Sequence, residues 1–156
     1  MSEASSLEYL KKLVGQEAGI SDWVSISQQR INLFAEATGD CQWIHVDVER
    51  SQRESPFGGT VAHGLLTLSL LPLLLQGAIA LPANGMSVNY GLNKVRYPAP
   101  LRAGSRVRGV VVLHDFEEVA GGFQCIWGIT VERESGIKPA CVAELITRHY
   151  PEASQA

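Results

Sequence analysis

The apolar positions of this chain change their period once, near residue 85. Before that point they recur at helical spacing. Ser27 is placed to cap a helix in which Ile31, Phe34, Ala35 and Ala37 recur along one face. Gly39 stands where a left-handed C-terminal cap is expected, so this helix stops just before Asp40. Residues 61–81 are almost continuously apolar and predict one long central helix, entered through a loop over residues 54–59. Residues 23–27 alternate as a short strand does, and residues 41–48 read as an ordered loop or short turn.

After residue 85 the pattern alternates. Strands are predicted over residues 86–90, 93–97, 106–116, 123–133 and 140–150. In the fourth, Phe123, Cys125, Trp127, Ile129 and Val131 share one face while Gln124, Thr130 and Glu132 share the other, so one side of the sheet faces a core. A helix apolar on every side and a long antiparallel sheet satisfy each other when the sheet curls around the helix. The expectation is an α+β hot-dog fold in a single domain over residues 1–156, its core about residues 14–150. Such a sheet leaves open edges, and pairing into a homodimer is the expected remedy.

Composition narrows the function. The 46% hydrophobic and 19% charged residues suit a globular core, and a net charge of −3 gives no electrostatic footprint for nucleic acid. Residues 55–93 contain no Asp, Glu, Lys or Arg, which raises the possibility of a membrane span. Pro72, Gln76 and the lack of flanking Lys or Arg anchors favour a buried helix and no membrane insertion. Cys41, Cys125 and Cys141 form neither a disulfide framework nor a CxxC pair, so free thiols in a cytoplasmic setting are expected. The N-terminus lacks a basic region followed by an apolar run, so no secretory signal is expected.

Candidate chemistry lies between the first helix and the apolar run. Asp40 follows a helix end and His45 comes five residues later, across a segment that can turn both side chains into one cleft. A carboxylate and an imidazole converging on one water form an acid–base pair near neutral pH. The bland alternative, Asp40 capping a turn and His45 bonded locally, is the commoner reading of an arbitrary pair of this spacing. A metal site from His45, Asp47 and His63 lacks helical ligand spacing, and no metal is expected. Gly64 opens the apolar helix, where an unpartnered N–H and the helix dipole can meet a ligand oxygen. For His63 and Gly64 the structural alternatives are a backbone-satisfied histidine and close helix–sheet packing.

Asp40, Gln42, Ile44, His45 and Asp47, with Phe57-Gly58-Gly59 and Ala62-His63-Gly64, resemble the hydratase motif of the MaoC-like dehydratases. The run Thr38-Gly39-Asp40 to Asp47, with Asn89-Tyr90-Gly91, Lys94, Arg96 and Pro98 to Pro100, is similar to the branch related to nodulation protein N. The resemblance implies an (R)-specific enoyl-CoA hydratase, a hydro-lyase of fatty acid metabolism acting as a homodimer on acyl-CoA. It implies catalytic Asp40 and His45, with Gly64 as oxyanion donor. Gln42, Trp43, Phe57, His63, Asn89, Tyr90, Lys94 and Arg96 become candidate substrate-binding residues, and no cofactor is implied beyond the coenzyme A of the substrate. Lys94, Arg96, Arg102, Arg106 and Arg108 are the basic residues available for its phosphates. Gln42-Trp43 stands where many relatives have Asn-Pro, and Pro72 where some carry a thioester-binding serine. A hot-dog thioesterase would want a carboxylate on the central helix, and residues 61–81 have none. A non-catalytic acyl-CoA-binding protein is the remaining alternative.

Overall fold

The computed structural model describes residues 3–82 and 84–152. Helix α1 (Glu3–Leu13) leads into β1 (Glu17–Ile20) and β2 (Val24–Ser25), then α2 (Gln28–Thr38) and the short helices α3 (Trp43–Val46) and α4 (Val48–Glu54). Helices α5 (Gly64–Ser69) and α6 (Leu71–Ala78) precede β3 (Met86–Arg96), β4 (Arg106–Val119), β5 (Gly122–Arg133) and β6 (Cys141–Tyr150). The sheet is antiparallel in the order β1-β4-β5-β6-β3, with β2 pairing β4.

The predicted face of β5 is the buried one: Phe123, Cys125, Trp127, Ile129 and Val131 join the core, with Val107, Val111 and Leu113 of β4 beside them. Trp127 is wholly buried, and its indole N–H donates to the Thr147 hydroxyl at 2.9 Å. Leu71, Leu74 and Leu75 of α6 press onto this face. Gly109 permits that approach, since a Cβ there would come 2.9 Å from Leu74 Cβ. Sheet and helices thus form the hot-dog arrangement.

Three expectations change. The central helix is two helices meeting at Leu70, and residues 61–63 precede them as a short extended segment. Pro72 stands in the first turn of α6 and brings no N–H to continue the ladder from α5. The runs at 86–90 and 93–97 form one strand, β3, whose register shifts between Asn89 and Gly91 and again between Leu92 and Val95. Those irregularities break the alternation that suggested two strands. The loop or short turn expected over residues 41–48 contains the four-residue α3, and α4 follows it; α3 is too short and α4 too polar to show a helical period.

Among the described residues, no helix is long and apolar enough to cross a membrane. Strand β3 is the sheet edge away from β1, and it exposes Met86, Val88, Tyr90 and Leu92.

Candidate active site

Ser27 caps α2 by accepting from the Arg30 N–H, and Gly39 closes the helix in a left-handed conformation at φ 78°. This exit fixes the backbone of Asp40, whose residue is exposed. Asp47 caps the next helix, its Oδ1 accepting from the Arg50 N–H at 2.9 Å. Asp47 is therefore a structural cap, and α3 between the two caps carries His45 inward.

The segment 60–62 locks the site to the sheet end. Val61 N–H donates to the Ile44 carbonyl, Ala62 N–H to Leu101 and Ala103 N–H to Thr60. The Val61 carbonyl lies 2.6 Å from His45 Nδ1. A carbonyl only accepts, so Nδ1 carries the proton and the lone pair of the neutral ring sits on Nε2. Gln28 completes the clamp by donating to the His45 carbonyl at 2.7 Å and accepting from the Thr60 hydroxyl. His45 is buried and held in one tautomer.

His63 immediately precedes α5. Its ring stacks on His45 with centroids 3.8 Å apart and packs against Phe34 at 4.9 Å. His63 Nε2 donates to the Asp40 carbonyl at 2.8 Å, while the buried Nδ1 has no partner among the described residues. Asp40, His45 and His63 bring ligand-type atoms within 4.8 Å of one another. The histidine grouped with His45 thus meets Asp40 rather than Asp47.

Gly64 opens α5, leaving its N–H beyond reach of an intrahelical carbonyl. Tyr97 covers it so closely that a Cβ would lie 3.2 Å from the ring. Trp43 is half-buried under the Arg50 guanidinium, 4.2 Å from the ring centroid, and Gln42 is exposed at the start of α3. Phe57 lies exposed on the loop before the glycine pair. That pair makes room for Arg102, which donates to the Gly58 carbonyl at 2.8 Å.

Other candidates stand apart within one protomer. Asn89 lines a different cavity beside α6. Tyr90, the next residue along β3, carries the Arg148 guanidinium 3.6 Å from its ring. Lys94 and Arg96 are exposed on the same strand. Arg106 and Arg108 are committed to Glu134 and Glu132 across the β4–β5 pairing, and both guanidinia lie over Trp23. Their charge is answered locally, which leaves Lys94, Arg96 and Arg102 for an anionic ligand. Gln28, Phe34 and Tyr97 were missed: their roles depend on tertiary neighbours, and none sits in a recognisable motif.

Fold and site together define a hot-dog protein with a carboxylate and two histidines gathered just before α5. The family model for the MaoC-like domain matches residues 10–131, and the chain belongs to that family. It is 49% identical to 3-hydroxyacyl-thioester dehydratase Z of Mycobacterium tuberculosis (strain H37Rv), over 96% of this chain and 99% of that protein. Nodulation protein N of Rhizobium meliloti is 47% identical over 90% of this chain and 89% of its own length. The R-hydratase PhaJ1 of Pseudomonas aeruginosa shares the fold at a TM-score of 0.70 and 20% identity, covering 87% of this chain and 83% of that one. By class the chain is a dehydratase or hydratase.

Proposed function

We propose that this protein reversibly adds water across the C2–C3 double bond of a 2-enoyl-CoA to give the (R)-3-hydroxyacyl-CoA. The observation that carries the reading is the Val61 carbonyl on His45 Nδ1, which leaves the Nε2 lone pair to act as base, with a ring nitrogen of His45 within 4.8 Å of an Asp40 carboxylate oxygen. Water held between Asp40 and His45 loses a proton as its oxygen bonds to C3. Charge moves onto the thioester oxygen, where the Gly64 N–H and the helix start stabilise it. The proton then returns to C2 on the same face, so one water is added and nothing is oxidised or reduced. The relative named for a 3-hydroxyacyl-thioester supports this substrate class. The reaction needs no cofactor beyond the coenzyme A that the substrate carries, with Lys94, Arg96 and Arg102 facing its phosphates. Free cysteines support a cytoplasmic setting.

The working unit is a homodimer joined through β3. The exposed Met86, Val88, Tyr90 and Leu92 supply an apolar edge with unpaired backbone groups. A two-fold axis between antiparallel β3 strands stands perpendicular to the sheet and runs the two helix layers in opposite directions. The Gly64 end of α5 lies under Tyr97, just past the Arg96 end of β3, whereas Ser87 and Asn89 flank the far end of α6. Each catalytic end therefore lies beside the far helix end of its neighbour.

The test is incubation with crotonyl-CoA, following loss of enoyl absorbance and the configuration of the product. Formation of (R)-3-hydroxybutyryl-CoA is expected. Release of free coenzyme A without hydration would overturn the reading in favour of a thioesterase.

A further inference from the structure

The far end of α6 carries a cavity of about 270 Å³, walled by Leu75 and Ile79 on the helix side and by Phe123 and Trp127 on the sheet side. A polar pair, the exposed Ser87 on the buried His149, stands in the same lining beside Gln76 and Asn89. Ser87 Oγ lies 3.0 Å from His149 Nδ1, and His149 Nε2 lies 3.0 Å from the Asn84 carbonyl. His149 is only 5% exposed.

The carbonyl dictates the protons. Nε2 must donate to it, so Nδ1 is the acceptor and the Ser87 hydroxyl the donor. The open valence of the pair is then a lone pair on Ser87 Oγ, which asks the cavity's occupant for a hydrogen-bond donor. Thr147, in the same wall, accepts from the Trp127 N–H and keeps its own hydroxyl proton to give. An alcohol answers both, donating to Ser87 and accepting from Thr147. A methyl group answers neither, and an ether oxygen cannot donate.

In the β3-joined dimer this cavity lies beside the catalytic end of the neighbouring protomer. Resting on the hydratase reading and that pairing, we infer that the cavity receives the far end of the acyl chain and selects chains that carry a hydroxyl there. The substrate class is a hydroxylated 2-enoyl-CoA, with the second oxygen remote from the thioester. The polar wall has no use in binding a plain alkyl tail, which a uniformly apolar cavity would hold better.

The experiment compares kcat/KM of the wild-type protein on 2-enoyl-CoAs of increasing length, each ending in a methyl, a hydroxyl or a methoxy group. Crotonyl-CoA, too short to reach the cavity, reports the hydratase reading separately. At the lengths that enter the cavity, the hydroxyl chain is expected to be favoured over the methyl chain by about tenfold, the net worth of one hydrogen bond. The methoxy chain, which can accept from Thr147 but cannot donate to Ser87, should gain less than the hydroxyl chain, and Ser87→Ala should shrink the hydroxyl preference toward the methoxy level. Hydration of crotonyl-CoA with no hydroxyl preference at any length would overturn this inference and leave the hydratase reading standing. Failure to hydrate crotonyl-CoA would overturn the hydratase reading, and this inference with it.

Discussion

His45 and His63 lie face to face, with centroids 3.8 Å apart and planes inclined by 24°, yet their hydrogen bonds run to different parts of the chain. His45 is tied to Val61, and His63 reaches back to the Asp40 carbonyl. The stack couples the backbone behind the carboxylate to the ring of the base. On the proposed mechanism His63 acts as a positioning residue, through Asp40 and His45.

His63→Phe should preserve the stack and lose the donor to the Asp40 carbonyl. We expect kcat to fall by about tenfold, the worth of one buried hydrogen bond, with KM nearly unchanged. Steady-state kinetics beside circular dichroism checks this. A raised KM with normal kcat would instead place His63 against the substrate.

The ring of Tyr97 lies 3.2 Å from any Cβ at Gly64, and the proposed mechanism adds a second reason for a glycine there, the approach of a thioester. Gly64→Ala in a Tyr97→Leu background separates them, because the smaller residue relieves the clash within the chain. If the Gly64 N–H is the oxyanion donor, turnover on crotonyl-CoA should stay about a hundredfold or more below that of Tyr97→Leu alone. Recovery to the Tyr97→Leu level would make Gly64 a packing glycine only.

The β3 edge gives an assembly test. Val88→Lys with Leu92→Lys sets like charges against each other across the two-fold axis, at residues 37% and 42% exposed in the protomer. Light scattering should report a monomer, and activity should fall with it. A dimer of wild-type stability would move the interface elsewhere.

The cysteines give a test of burial. Desolvation pushes the Cys125 thiol up to about 12, helped by the Asp115 charge, and the Cys141 thiol up to about 11. Both lie far above neutral pH, so neither thiol ionises appreciably in the folded protein, whereas Cys41 is exposed. Iodoacetamide at neutral pH should therefore alkylate one site in the native protein and three after unfolding, counted by mass spectrometry. Rapid native labelling of Cys125 would contradict the buried β5 face.

The legible parts of this protein are those fixed by local pattern. Alternation along residues 123–133 marks the buried face of β5, and Ser27 and Gly39 mark the ends of α2. Pro72 is visible in the sequence, but its effect, a break at Leu70, depends on how two short helices settle against β4 and β6. At the candidate site, Asp40, His45 and Gly64 stand out through motif and spacing. The clamp around them does not, because Gln28 reaches the His45 carbonyl from 17 residues away and Val61 reaches the ring through a backbone carbonyl that any residue possesses. Basic residues also mislead when read singly. Arg106 and Arg108 meet acids 28 and 24 residues away, partners that only the β4–β5 register reveals.

The central claim is that Asp40 and His45 act as one unit on one water, and a double-mutant cycle tests it most directly. Turnover of crotonyl-CoA is measured for Asp40→Asn, His45→Ala and the double variant, each shown to be folded. Each single change should lower kcat by about two to four orders of magnitude, and the double change should cost little more than either alone. Near-normal turnover in either folded single variant, or losses that simply multiply in the double variant, would contradict the account.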